Sequence, residues 1–149
     1  MSTLADPNVR AECKARIQRL DPEASRKWGR MTARQMVCHL NDSFYVAMGE
    51  KYASPATNVL QRTFVKWVAL RAPFRWPPGV PTRPEIEQGR GGTPPGDWEH
   101  DRGELLGFID TFASLQTFGV HPAFGEMSQG DWMTWGYRHV DHHLRQFGV

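Results

Sequence analysis

Ser128-Gln129-Gly130-Asp131-Trp132-Met133-Thr134-Trp135-Gly136-Tyr137-Arg138-His139-Val140-Asp141-His142-His143-Leu144-Arg145-Gln146 reads as one long helix. Ser128 with Asp131 three residues on is a capping box in its shorter Asp form, each side chain satisfying a free backbone N–H of the other residue. Within the helix, His139 and His143 stand about 40° apart and one turn above each other, so both imidazoles can address one object. Neutral imidazole nitrogen is a ligand for zinc, nickel, copper and iron. Trp132, Trp135, Gly136 and Gln146 share that face. Helical side chains lean over the preceding turn, so Gly136 leaves space beside the imidazoles for an ion or a substrate atom; a close helix–helix contact explains this glycine equally well. His142 lies about 100° from His143 and is read as a supporting or surface group rather than a further ligand.

Upstream, Asp97 caps another helix, with Glu99 and Asp101 in the first turn where the helix dipole favours them. Leu105, Leu106, Ile109, Phe112, Ala113 and Gln116 give it a wide inward face. Before it, residues 73–96 hold seven of the eleven prolines and five of the fourteen glycines, which no regular helix survives. So long a connection is a functional lid or a crossover along a bundle. Its Trp76, Arg75, Arg83 and Arg90 either line a pocket for an anionic or aromatic ligand or are solvated loop residues. Residues 57–72 form a shorter helical candidate with Leu60, Phe64, Trp67 and Val68 on one side and Arg62, Lys66 and Arg71 available to solvent on the other.

Near the start, Asp6 then Pro7 opens a helix in which Val9, Cys13, Ile17 and Leu20 recur at helical spacing. Thr32-x-x-Gln35 is a second capping box, starting a helix over about 33–50. Met36, His39, Ser43 and Val46 or Ala47 form its inward stripe, so His39 points into the molecule. Two readings stand for it: a core histidine bonded to a neighbour, or a third ligand for His139 and His143. Asp42, one turn on, either orients a ligand imidazole or bound water or forms a helix-surface salt bridge. Cys38 is about 100° around from His39 and does not converge with it. Strand signals are absent. The expected fold is all-α: one domain over 1–149, a four-helix bundle with an additional short or broken helix and a long Pro/Gly-rich crossover.

The totals narrow the function classes. A chain with 40% hydrophobic and 23% charged residues has the composition of a globular domain. No run reaches the 18 or so apolar residues of a membrane span, and the N-terminus has no secretory signal, so a cytoplasmic protein without a membrane partner is expected. Cys13 and Cys38 are expected to be small buried residues rather than a disulfide or zinc site. Residues 1–96 carry 15 bases and 8 acids while 97–149 carry 3 bases and 8 acids. The bases are dispersed, which argues for attraction between the two halves and against nucleic-acid binding.

Trp28-x-x-Met31-Thr32-x-x-Gln35-x-x-x-His39 together with His139-x-x-His142-His143-x-x-Gln146 resembles the DinB-like (YfiT-like) superfamily of metal-dependent proteins. His121-Pro122-x-Phe124-Gly125 and the C-terminal His142-His143-Leu144-Arg145-Gln146-Phe147-Gly148 are similar to one branch of it. The resemblance spans essentially the whole chain. It implies a four-helix bundle in which His39, His139 and His143 form the ligand triad. By the same likeness, the activity is a transfer or isomerisation using a low-molecular-weight thiol such as bacillithiol, mycothiol or glutathione. It also leaves open a homodimer through the third helix or the aromatic surfaces.

Val140 occupies the position of the general-base glutamate in His-Glu-x-x-His, so a zincin-type peptidase is disfavoured. The expectation is therefore a divalent-metal enzyme, zinc or nickel, of the thiol-transferase type, acting on a small molecule with a thiol cosubstrate. Hydrolysis at the same site is less favoured, and no catalytic group beyond the triad is assigned. Asp42, His142 and Gln146 are the expected supporting groups, and Gly136, Trp135 and Trp132 the expected pocket. The alternative is a non-catalytic, stress-related bundle protein that binds a metal or small molecule. His39 more than about 8 Å from the pair would instead indicate a purely structural bundle, since zinc–nitrogen distances are near 2 Å.

Overall fold

The four strong cap signals each start a helix. Asp6 accepts from the Asn8 amide at 2.8 Å, and α1 runs Pro7–Arg19. The Thr32–Gln35 box closes with bonds of 3.0 and 3.1 Å ahead of α2, Ala33–Ala47. Asp97 accepts from His100 N ahead of α4, Trp98–Ser114. The Ser128–Asp131 box precedes α5, Gln129–Gln146. Between α2 and α4 a π-helical turn, Gln61–Val65, leads into the short α3, Lys66–Arg71, and the crossover adds a 3₁₀ turn, Pro84–Ile86. The computed structural model describes all 149 residues; every regular element in it is helical, with one isolated β-bridge, His121–Gly125. No helix is long and apolar enough to cross a membrane.

α2 packs across α4 and α5, α1 lies on the same two helices, and α3 lies against α5. Their shared interior holds Ile17, Met36, Leu40, Phe44, Leu105, Ile109, Phe112, Trp132, Val140 and Leu144, each at most 2% exposed. Burying one such side chain contributes roughly 1.5–3 kcal/mol. Phe44 packs edge-on to Phe112 with ring centroids 5.0 Å apart. The two halves of the chain are joined by ion pairs: Lys14 and Arg10 to Asp110, Arg16 to Asp141, Lys66 and Arg71 to Asp131. The charge asymmetry of the sequence is used inside the molecule. Cys13 and Cys38 are free and buried, with burial pushing their thiols up to about 11 and about 12.

Gly136 corrects an expectation. A Cβ there would lie 2.7 Å from Leu4 Cδ1 and 3.2 Å from Phe112 Cε1. The missing side chain makes room for the N-terminal segment and α4, not for a pocket. α2 also stops at Ala47, short of 50, as Gly49 turns the chain at φ +77°.

The crossover is folded onto α2. Both oxygens of Asp42 are engaged, Oδ2 by the Thr93 amide at 2.7 Å and Oδ1 by the Thr93 hydroxyl at 2.7 Å and Lys51 Nζ at 2.9 Å. The Gly91 amide bonds Pro84 O at 2.9 Å, closing a tight loop around Pro84–Ile86. A Cβ at Gly91 would stand 2.8 Å from the backbone of Glu85. Arg83 bonds Ser54 and Arg90 bonds Glu87, so these two arginines serve the loop rather than a ligand pocket.

Candidate metal centre

α2 and α5 bring His39, His139 and His143 together, one ligand nitrogen of each lying within 4.8 Å of the others. His39 Nε2 and His139 Nε2 are 3.3 Å apart, and the ring centroids of His39 and His143 are 4.9 Å apart. The 8 Å separation that would mark a purely structural bundle is not approached. His39 and His143 are buried and His139 is partly so.

The outer nitrogens fix which way the inner ones face. His39 Nδ1 is 3.1 Å from Ile86 O, and a carbonyl only accepts, so Nδ1 carries the proton. Gln146 donates its amide to Trp28 O at 2.8 Å, which turns its own oxygen to His143 Nδ1 at 2.8 Å. His143 Nδ1 therefore donates as well. Both rings present an Nε2 lone pair to the space they share with His139, the arrangement that supports metal-bound histidines generally. Gly29 makes the Gln146 contact attainable: its φ is +78°, and a Cβ there would be 2.7 Å from Gln146 Nε2.

Electrostatics keep the set neutral. Burial lowers His39 below the usual imidazole range, against the Ile86 carbonyl, which raises it. Burial and then the neighbouring imidazoles push His139 and His143 well below that range. Uncharged, desolvated imidazole nitrogens within 4.8 Å of one another are the donor chemistry of a three-histidine site with open positions. The residues present fit a divalent ion.

The expected neighbours divide. Gln146 sits where the sequence places it. Trp135 lies 5.1 Å, centroid to centroid, from His139. Trp132 stands behind Trp135 at 5.2 Å, in an aromatic cluster with Phe112 and Phe118. His142 is buried between Trp28 and Trp76, 5.0 Å from His143, with Nδ1 unpartnered. Asp42 touches no triad ring through a hydrogen bond; its charge raises the His39 pKa against burial, and its bonds to Thr93 tie down the loop that carries Ile86. Gly136 is filled by packing and leaves the pocket.

Two contributors come from the crossover. The Trp76 ring is tilted over His139 at 5.9 Å, held by its Nε1–H donating to Ala69 O. The Ile86 carbonyl had no signal in the sequence, because a main-chain oxygen carries no residue signature. His121, in the His-Pro-x-Phe-Gly motif, is a turn residue: Nδ1 accepts from Ala123 N and Phe124 N, and the ring stacks on Phe124 at 4.3 Å.

Residues 4–148 match the family described as "Protein of unknown function (DUF1569)". The chain belongs to the DUF1569 family. No curated protein and no solved structure matches it. In this DUF1569 chain the matched span takes in the whole triad together with Trp28, Gly29, Ile86 and Gln146.

Proposed function

We propose that this DUF1569 protein is a divalent-metal-dependent enzyme of the low-molecular-weight-thiol transferase type, with zinc or nickel held by His39, His139 and His143. On this reading α1, α2, α4 and α5 form a four-helix bundle of the DinB-like (YfiT-like) kind, and α3 is the additional short helix. The observation that carries the reading is the pair of fixed tautomers, which leaves Nε2 of His39 and of His143 unprotonated in a triad whose ligand nitrogens lie within 4.8 Å of one another.

A divalent ion bound there supplies Lewis acidity, lowering the pKa of a thiol or water that reaches it. The chain's own groups orient and exclude: Ile86 O and Gln146 Oε1 hold two rings, and Trp76 and Trp135 cover the third. Asp42, the carboxylate one turn from His39, is committed to Lys51 and Thr93, and Val140 is apolar where a peptidase carries its glutamate. A site without a dedicated base suits a nucleophile that ionises at the ion, as a thiol does, better than it suits hydrolysis.

The test is turnover. Metal-loaded protein is incubated with bacillithiol, mycothiol or glutathione and a panel of small electrophiles, and loss of free thiol is followed. Conjugation dependent on the metal and absent in His139→Ala supports the proposal. Thiol affinity without turnover would instead support the binding-protein alternative. One observation favours that alternative: two cavities of about 200 and 210 Å³ open elsewhere on the surface, and neither is lined by a triad histidine.

A further inference from the structure

The helical stretch from the π turn through α3 turns an apolar face outward. Leu60, Phe64 and Trp67 recur at helical spacing and are 60%, 62% and 58% exposed, while Leu70 faces inward at 1%. Just beyond α3, Phe74 is 56% exposed. A surface helix normally buries its apolar stripe and shows its polar one. Contiguous exposed apolar area of this kind marks an interaction surface.

The charges around the stripe are one-sided. From Lys51 to Pro84 the chain has Lys51, Arg62, Lys66, Arg71, Arg75 and Arg83 and no acidic residue. Lys66 and Arg71 share Asp131, and Glu126 is nearby, its backbone oxygen accepting from Lys66. Arg62 and Arg75 are exposed and have no ion pair. A twofold pairing of two copies across this face would set like charges against like. An anionic surface with an apolar interior meets both the cations and the aromatic stripe.

We propose that this face, centred on Leu60, Phe64 and Trp67 and flanked by Arg62 and Arg75, docks the protein on an anionic lipid bilayer. The protein lies on the bilayer and does not cross it. The aromatic and leucine side chains enter the headgroup boundary, and the arginines stay at phosphate level, the arrangement of interfacial amphipathic helices. The inference is independent of the metal reaction.

Co-sedimentation of the full-length protein with vesicles tests it. One set is phosphatidylcholine alone; the other contains about 30 mol% phosphatidylserine, a surface that attracts each nearby Lys or Arg by about 1 kcal/mol. The protein is expected to pellet with the anionic vesicles and not with the neutral ones, and to be released as salt rises. Phe64→Ser/Trp67→Ser should abolish pelleting. Arg62→Gln/Arg75→Gln should weaken it roughly 25-fold, about fivefold per cation. Both variants alter exposed side chains, and circular dichroism checks that they stay folded. Absence of pelleting at low salt overturns the proposal, as does equal pelleting of folded wild type and variants. So does a stable dimer that Phe64→Ser/Trp67→Ser splits, which would make the face an interface between copies.

Discussion

His39 Nε2 lies 3.3 Å from His139 Nε2, although the two residues are 100 positions apart in the chain. Two imidazole nitrogens bound tetrahedrally to one zinc at 2.0–2.1 Å would be about 3.3–3.4 Å apart. The Ile86 carbonyl leaves His39 Nε2 without a proton, so in this structure His139 Nε2–H donates to it. A divalent ion held by the triad would need the lone pairs of both nitrogens, and a spacing of 3.3 Å fits that without moving the two rings apart.

Gln146 is the support most open to test. Gln146→Leu keeps the bulk but removes both the acceptor for His143 Nδ1 and the donor to Trp28 O. Loss of such an outer partner typically costs 10- to 100-fold in metal affinity, and a chelator-competition titration should show a weakening in that range. Gly29→Ala should move affinity the same way, because it forces a side chain onto a left-handed backbone against the Gln146 amide. Unchanged affinity in both variants would remove Gln146 from the site.

Gly136→Ala separates packing from chemistry. Alanine favours the helix by about 1 kcal/mol over glycine, but its methyl would meet Leu4 and Phe112 at 2.7 and 3.2 Å. Overpacking of that kind costs typically 1–3 kcal/mol. Urea denaturation should show a net loss of stability, with metal content unaltered.

Asp42→Ala should free the crossover. The Thr93 amide loses its carboxylate acceptor, and hydrogen exchange at residues 84–93 should accelerate while the α4 and α5 amides stay protected. Metal affinity should fall less than in Gln146→Leu, because Asp42 makes no hydrogen bond to a triad ring and acts on His39 through its charge and through the loop that carries Ile86.

Acid should weaken the fold through His121. Burial and then Lys66 lower its pKa from 6.5 to about 4, and its Nδ1 is occupied as an acceptor. Above pH 6.5 the ring is neutral folded or unfolded, and its contribution is fully present. As pH falls through 6.5 toward 4, the unfolded chain takes up the proton first and stability is lost, by at most about 3 kcal/mol. The triad histidines act in the same direction. His121→Asn should reduce the slope of urea midpoint against pH in that window relative to wild type; an unchanged slope would exclude His121 as a contributor.

The helices were legible because their caps are local. Asp6-Pro7, Thr32 with Gln35, Asp97, and Ser128 with Asp131 each satisfy backbone donors within a few residues, so sequence spacing is enough. His139 and His143 were legible for the same reason, being one turn apart on one helix, and His39 by its place on an inward stripe. Gly136 was misjudged because a helix face is broad: its angle matched the imidazoles, while Leu4 and Phe112 arrive from segments whose placement no local rule gives. Of the two readings of Asp42, the salt bridge is the one formed, to Lys51, and its carboxylate also reaches across to Thr93, a contact that no local rule gives. The π turn before α3 and the Ile86 carbonyl left no residue-level trace.

The central claim rests on the ion. Protein produced without a histidine tag should contain about one divalent metal per chain by elemental analysis, as a single three-histidine site requires. His143→Ala, checked for folding by circular dichroism, should contain none. Wild-type protein that stays metal-free after exposure to zinc and nickel, or a folded His143→Ala protein that keeps a full equivalent, would contradict the account.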